Sequence, residues 1–248
     1  MDLIIGIHSI AQAISNPNRR VHSLVGTDEG FKELYKRGGI DPKTLEGVEQ
    51  KKLDNHRLQE EAKREYKQRD LNFQRIPSGI FAVTSALELS TVKDLMDDLQ
   101  GGKALKILAL DQVTDTHNAA AILRTAAFYG IDYLVTAAKG SFGLTPSFYR
   151  IASGATEHVK LVQAASLPKL LNKLAQKEVM VIGLSEHASD DDISSEAQST
   201  CLVLGAEDVG MSNAVSRVVT KTIALKPSGA IKSLNVSVAA AVAMEKLF

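Results

Sequence analysis

Polar side chains with possible chemical roles are concentrated in three stretches of this sequence. Asn118 precedes the alanine-rich segment AAAILRTAAF, in which Arg124 is the only charged residue. Glu207 lies in the glycine-bearing stretch LGAEDVGMS, and Ser233 and Asn235 lie in SLNVSVA. An arginine on an apolar helix needs a partner, which could be a ligand phosphate or carboxylate or a structural ion pair. Glu207 could serve as a base or an orienting group, or it could only stabilise a helix N-terminus.

Other chemistries lack the residues that they need. The six histidines show no HExxH or similar spacing, and Cys201 is the only cysteine, so we expect no metal site. The sequence has no GxSxG elbow, and its glycine-bearing stretch is neither GxGxxG nor a Walker A sequence. These absences disfavour a serine nucleophile, a bound dinucleotide and a bound nucleoside triphosphate.

The three stretches follow predicted strands of a single sheet. From residue 105 onward, apolar runs alternate with helical patterns. The predicted strands are Ile107–Leu110, Tyr133–Ala137, Val179–Leu184, Cys201–Leu204 and Thr222–Leu225. Continuous apolar strands separated by helices predict a parallel α/β sheet covered on both faces. Ligands bind at the carboxyl ends of such strands, so the three stretches predict one composite site.

The last of these strands leads into a predicted C-terminal helix. The sequence KPSG at residues 226–229 ends the strand, because proline lacks the ladder N–H and glycine permits positive φ. We predict that Ser233 opens and caps this helix, and that Asn118 caps the helix that carries Arg124. The many small residues of the final helix suggest that another backbone or a ligand lies close to it. An ordinary strand–loop–helix unit is the alternative.

The first 87 residues predict a separate, smaller α/β domain. Within it, the span Lys51–Arg75 holds eight basic and five acidic residues, with Tyr66 and Phe73 among them. A basic stretch with interleaved aromatics can grip single-stranded RNA through phosphate contacts and base stacking. The alternative is a solvated helix face laced with ion pairs. The pattern of residues 88–104 predicts a linker helix. Thr91 is a plausible N-cap for it.

Composition restricts the class of protein and its partners. With 29 basic and 29 acidic residues the chain carries no formal net charge, which argues against attachment to nucleic acid by bulk electrostatics. A local RNA-binding patch stays possible, and no DNA partner is expected. The N-terminus does not read as a signal peptide, and no apolar run reaches the roughly 18 residues that span a bilayer. We expect a cytoplasmic protein with no membrane contact.

The motifs HNAAAILRTA, LVLGAEDVGMS and SGAIKSLNVSVA, with ASGATEHV between the first two, occur in a specific order and spacing. In these motifs the chain resembles the SpoU/TrmH-type RNA 2′-O-ribose methyltransferases of the SPOUT superfamily, and among them the 23S rRNA guanosine-2′-O-methyltransferases. The resemblance covers roughly residues 105–248. Residues 1–87 more weakly resemble the small ribosomal-protein-like domain that many members carry for RNA binding.

The resemblance implies a fold, a cofactor and a set of site residues. It implies a parallel-sheet SPOUT domain with a C-terminal trefoil knot, a homodimer formed across the knot region, and S-adenosylmethionine as cofactor. The residues that would contact the cofactor are Gly205, Leu225 and Leu234. The residues that would line the reacting end are Asn118, Arg124, Glu207, Ser233 and Asn235.

The resemblance also implies an activity, which is 2′-O-ribose methylation of structured RNA, ribosomal RNA above all. The alternatives are a transfer-RNA substrate, or a non-catalytic RNA-binding or ribosome-assembly protein on the same fold. The implied domains are residues 1–87 for RNA binding, 88–104 as linker and 105–248 for catalysis. Ala120, Asp208 and the Lys-Pro pair at 226–227 depart from the usual residues of the family, but none of them is an implied site residue.

Overall fold

A computed structural model of the protein describes residues 1–186, 188 and 197–248. The chain divides into two compact units. The N-terminal unit comprises Met1–Glu88 and Gly143–Glu157, and the second unit comprises Leu89–Phe142 and His158–Phe248. His187, one of the histidines weighed for a metal site, lies outside the described residues.

The N-terminal unit is built on a four-stranded sheet. Its elements before residue 89 are β1 (Asp2–Ile5), α1 (Ile7–Ser15), β2 (Val21–Gly26), α2 (Asp28–Lys36), β3 (Glu49–Lys52), α3 (Asn55–Gln68) and β4 (Ile80–Thr84). The strand order is β1-β4-β2-β3, in which only the β2–β3 pair is parallel. Side chains alternate across β1, so that Ile4 packs with Phe31 on one face of the sheet. Leu3 and Ile5 pack with Phe81 on the other face.

The segment 143–157 joins the N-terminal unit although it lies far along the chain. It forms α6 (Pro146–Ala152), which begins after the N-cap Thr145 and buries Phe148 and Tyr149. Tyr149 packs in the same apolar cluster as Ile4. The sequence-based division assigned everything after residue 105 to one domain, and the structure differs from it here because these aromatic side chains are buried against the first sheet.

A buried ionic network ties the same segment to β1. Arg19 donates to Asp2 at 3.0 Å, and its Nε lies 3.5 Å from Glu157, a charge contact without hydrogen-bond geometry. The side chains of Arg19 and Glu157 are each only 2% exposed. Tyr149 donates its hydroxyl to Asp2 at 2.5 Å. Burial lowers the pKa of Arg19, but the negative charges of Glu157 and Asp2 outweigh that effect and raise it overall.

The second unit contains a parallel sheet, as the alternating pattern predicted. Its described elements are α4 (Val92–Gln100), β5 (Lys106–Leu110), α5 (Thr116–Phe128), β6 (Tyr133–Ala137), β7 (Lys160–Ala164), α7 (Leu167–Ala175), β8 (Met180–Leu184), β9 (Thr200–Leu204), α8 (Asn213–Ser216), β10 (Lys221–Ile223) and α9 (Val236–Leu247). The strand order is β10-β8-β9-β5-β6-β7, and every pair is parallel. The sequence-based list of strands missed β7. Helix α4 belongs to this unit, where Leu95 is fully buried with Leu105 and Val162.

The helix starts near the predicted site differ from the sequence-based assignments. Asp115, and not Asn118, caps α5 by accepting a hydrogen bond from the Asn118 N–H at 2.7 Å. Asn235, and not Ser233, caps α9 by accepting from the Ser237 N–H at 3.0 Å. An N-cap side chain must reach the amide two or three residues later, and the carboxylate and amide at these positions do so. Asn118 therefore lies within the first turn, where its side-chain amide is available for other contacts.

No helix within the described ranges is long and apolar enough to cross a membrane. In the same part of the chain, no group of three or more His, Cys, Asp or Glu side chains is placed to hold a metal ion.

The buried network predicts a large effect of removing Arg19. The Arg19→Met variant should lower the free energy of unfolding by about 3–5 kcal/mol, because Asp2 and Glu157 lose their counter-charge in a buried setting. Urea denaturation followed by circular dichroism measures this. The matched control is Arg20→Met, since Arg20 is exposed and should change stability by less than about 0.5 kcal/mol. A variant as stable as the parent would show that methionine packs as well as the ion pair.

Candidate active site at the strand ends

The three predicted stretches meet at the carboxyl edge of the second sheet. They are the loop from β5 into α5, the loop from β9 into α8 and the loop from β10 into α9. Strands β9 and β5 are direct neighbours, so the first two loops leave the sheet side by side. The prediction that these stretches form one composite site is therefore consistent with where the sheet order puts them.

The carboxylate of Glu207 is the centre of the side chains at this edge. Its Oε1 accepts hydrogen bonds from Asn118 Nδ2 at 3.3 Å and from the Val236 N–H at 2.9 Å, and it also accepts from Asn235 Nδ2. Asn235 Nδ2 further donates to Asn118 Oδ1 at 3.0 Å. We call Asn118, Glu207 and Asn235 the Glu207 cluster. Glu207 therefore contacts the N-terminus of α9, as the structural alternative expected, and it also holds two amide side chains in place.

The loop that carries Glu207 folds back on itself so closely that only glycine fits at its start. A Cβ added to Gly205 would lie 2.1 Å from the carbonyl carbon of Gly210. Ala206 and Gly210 exchange main-chain hydrogen bonds of 3.1 and 2.9 Å, and Gly210 has φ 66°. Glycine at both positions leaves their main-chain groups uncovered by side chains.

A cavity of about 620 Å³ adjoins the Glu207 cluster. The predicted site residues that line it are Gly205, Glu207, Leu225, Ser233 and Leu234. Its charged lining residues are Glu186, Glu207, Asp208, Lys226 and Lys232. All three residues expected to contact a cofactor thus border one cavity. Its volume falls within the range of about 300–1,000 Å³ that is usual for small-molecule sites.

Arg124 is the predicted site residue that lies apart from the others. It is exposed on α5, one and two-thirds turns after Asn118, and it is not among the residues that line the cavity. Across the described ranges it forms no ion pair or hydrogen bond, so neither a structural partner nor the Glu207 cluster holds it. Ala120, where we noted a departure from the family, is fully buried and does not reach the cavity.

Two residues before α5 support the site and were not predicted from the sequence. Asp111, only 6% exposed, accepts a hydrogen bond from the Ser212 N–H at 2.6 Å and so anchors the far end of the Glu207 loop. Gln112 has φ 62° and donates to the Gly210 carbonyl at 3.5 Å. A left-handed conformation costs a residue with a Cβ roughly 1–2 kcal/mol. An acidic residue directly after a buried apolar strand was the available signal.

The basic span Lys51–Arg75 is largely ion-paired, as the alternative interpretation proposed. Lys51 contacts Glu61 at 2.9 Å, and Lys63 contacts Glu60 at 3.1 Å. The other pairs in this span are Lys52–Asp28, Arg57–Asp54, Arg64–Glu61 and Arg69–Glu65. Tyr66 is only 1% exposed and cannot stack on a base, whereas Phe73 is 38% exposed. The span as a whole is therefore not an open basic face.

Comparison with known proteins decides the family. Residues 106–245 match the sequence model of the SpoU rRNA Methylase family. The chain belongs to this family. A relative from Acinetobacter baylyi, named 23S rRNA (guanosine-2'-O-)-methyltransferase RlmB, is 36% identical over 169 residues, which are 67% of this chain and 68% of that protein. A protein of the same name from Ralstonia nicotianae is 29% identical and aligns with 98% of this chain and 93% of its own length.

The SpoU family assignment extends to the fold. The crystal structure of the SpoU methyltransferase AviRb from Streptomyces viridochromogenes, in complex with the cofactor AdoMet, superposes with a TM-score of 0.72. The match covers 98% of this chain and 88% of that chain at 22% identity, which establishes a shared fold. The family resemblance predicted from the sequence is confirmed, as is the parallel α/β sheet.

The Glu207 cluster predicts a measurable link between the loop and α9. Glu207→Ala should lower the free energy of unfolding by about 1 kcal/mol, because the N-terminal amides of α9 lose a side-chain acceptor. Chemical denaturation measures the change. Asp208→Ala is the matched control, since this neighbouring carboxylate is exposed and makes no hydrogen bond or ion pair within the described residues. Equal stability changes in the two variants would contradict a specific role for Glu207.

Proposed function

We propose that this protein transfers a methyl group from S-adenosylmethionine to a ribose 2′-oxygen of structured RNA, ribosomal RNA above all. The observation that carries the proposal is the Glu207 cluster beside the 620 Å³ cavity in a chain of the SpoU family. The relatives named as 23S rRNA methyltransferases support ribosomal RNA over transfer RNA. We propose the cytoplasm as its place of action.

The cavity suits S-adenosylmethionine in size and in charge. It has three acidic and two basic lining residues, and this balance favours a ligand whose ammonium and sulfonium groups outnumber its carboxylate. Leu225 and Leu234 supply apolar surface, and the loop from Gly205 to Gly210 supplies main-chain groups for polar contacts. When bound there, the cofactor would supply an electrophilic methyl group. Pro227 lines the cavity but has no N–H, so donors must come from neighbouring residues.

The chain's own residues would position the ribose and its hydroxyl. Glu207 is poorly suited to be the base, because one of its oxygens already accepts from Asn118, Asn235 and the Val236 N–H. We assign it an orienting role. Asn118 and Asn235, held in place by Glu207, together with Ser233 at the cavity wall, would hold the ribose hydroxyl in line with the donor.

Arg124 would act through its charge. An arginine does not lose its proton in proteins, so it would stabilise the developing alkoxide or bind a phosphate that accepts the proton.

Apolar side chains are exposed on the same face of α5 as Arg124. Phe128 is 83% exposed, and Val238 of the adjacent α9 is 48% exposed. We propose that a homodimer covers the apolar surface formed by Phe128 and Val238. The dimer would bring Arg124 to the interface. The trefoil knot of the C-terminal segment belongs to the same proposal, by family resemblance.

Methyl transfer can be tested directly. The protein is incubated with methyl-labelled S-adenosylmethionine and, separately, unmodified ribosomal RNA and transfer RNA. We expect label on a single ribosomal nucleotide, in a linkage that resists alkaline cleavage because the 2′-oxygen is blocked. Label on transfer RNA alone would favour the alternative substrate. Calorimetric binding of the cofactor without label on any RNA would favour a non-catalytic protein.

Arg124 provides a sharper test of mechanism. Arg124→Ala should bind S-adenosylmethionine within about twofold of the parent but transfer methyl at least about 100-fold more slowly, because its charge acts in the transition state. Arg124→Lys should recover little, since lysine lacks the planar fork. Arg217→Ala, which removes another exposed arginine of the second unit, serves as the control and should be fully active. Wild-type turnover by Arg124→Ala would remove this residue from the mechanism.

A further inference from the structure

The N-terminal unit presents two exposed arginines, Arg75 and Arg150, that are not neutralised. Arg75 lies in the loop after α3, and Arg150 lies on α6. Both are exposed, and neither has an ion pair or hydrogen bond within the described ranges of the chain. This lack of a partner distinguishes the two arginines from the ion-paired basic residues of the Lys51–Arg75 span. A cation left without a carboxylate at an RNA-binding protein's surface is available for a phosphate.

A hydrogen bond between α6 and the loop brings together the two segments that carry these arginines. Ser147, one turn before Arg150 on α6, donates its hydroxyl to the side chain of Gln74. Gln74 is directly preceded by Phe73 and followed by Arg75. The hydrogen bond therefore fixes this tripeptide against the helix that carries Arg150.

An exposed aromatic ring lies in the same tripeptide as Arg75. Phe73 is 38% exposed, and its ring contacts Tyr66 edge to face with a centroid distance of 5.5 Å. Lys63 Nζ lies 5.7 Å from the centre of the Phe73 ring. The buried Tyr66 therefore holds Phe73 in a fixed orientation with part of its ring open to solvent.

The hydroxyl of Tyr66, behind the Phe73 ring, is a buried polar group. It is buried and has no hydrogen-bond partner among the described residues. Burial raises the pKa of Tyr66 to about 12, and the nearby positive charge of Arg150 opposes this rise. The electrostatic interaction of Arg150 with Tyr66, whose ring packs on Phe73, indicates that Arg150 and Phe73 belong to the same region of the unit.

We propose that Phe73, Arg75 and Arg150 bind an unpaired segment of the substrate RNA. A base would stack on the exposed ring of Phe73, and the two guanidinium groups would bind the flanking phosphates. Duplex RNA keeps its base faces hidden, so this combination favours a single-stranded loop or end. The inference rests on the proposed function in one respect, namely that the substrate is RNA. It places part of the RNA contact on segment 143–157, which lies within the region matched by the family.

The test uses the full-length chain and a fluorescent oligouridylate of about 12 nucleotides, a length that suits single-strand binding sites. Affinity is measured by anisotropy over a series of salt concentrations. Arg75→Gln and Arg150→Gln should each weaken binding and lower the slope of log affinity against log salt by about 0.7, the value for one phosphate of a single strand. Phe73→Leu should weaken binding about tenfold through lost stacking while leaving the salt slope unchanged.

Controls separate this surface from general charge effects and from failure of the proposed enzyme. Arg57→Gln removes an exposed arginine of the same unit that is paired with Asp54, and it should bind like the parent. An equal loss with Arg57→Gln, or no loss with Arg75→Gln and Arg150→Gln, would overturn the proposal. Sensitivity to the arginines but not to Phe73 would indicate a ligand bound by charge alone, such as an acidic peptide, and would also overturn it. A parent protein that binds RNA here but never methylates it would refute only the proposed function.

Discussion

The geometry of the candidate site depends on one carboxylate, that of Glu207. One of its oxygens accepts hydrogen bonds from two other segments, with Asn118 lying 89 positions away and Asn235, next to Val236, lying 28 positions away. Hydrogen bonds to an ionised acceptor are stronger than neutral ones, and an anion at a helix N-terminus gains further from the helix dipole. Because the partners belong to the first turns of α5 and α9, any change in the position of either helix would break this contact.

Glu207 can do this only because its loop is held from both sides. At its start, the close approach of Gly205 to Gly210 leaves no room for a side chain. At its end, the carboxylate of the buried Asp111 accepts a hydrogen bond from the Ser212 N–H. Gln112 adopts a left-handed conformation beside this anchor, a strain that surrounding structure must impose. The contacts that hold the shape of the loop therefore lie within the chain.

The sequence was informative wherever a pattern reports on burial. Continuous apolar runs identified most strands of the parallel sheet, and their carboxyl ends identified the three stretches that meet in the structure. The exact N-cap residues could not be predicted from the sequence. Asp115 and Asn118 are both residue types that cap helices well, and only the residue at which α5 begins decides which of them is the cap. The lone charge of Arg124 predicted either a ligand or an ion pair, and no ion pair is found among the described residues because Arg124 is exposed on α5. The pairing of Lys51 with Glu61 depends on how α3 lies against β3, which local sequence does not specify.

Segment 143–157 shows why the two units cannot be treated as independent modules. It lies inside the region that defines the family, yet its aromatic side chains and Glu157 are buried in the N-terminal unit. The chain therefore passes between the units at three points, after residues 88, 142 and 157. A cut at the first point alone would leave Phe148 and Tyr149 without their apolar neighbours, and would leave Glu157 without Arg19. Aromatic surface that is newly exposed to water favours aggregation of a fragment. The two units are thus joined by covalent continuity at three points, and a change in segment 143–157 acts on the packing of the first unit although the segment lies within the family region.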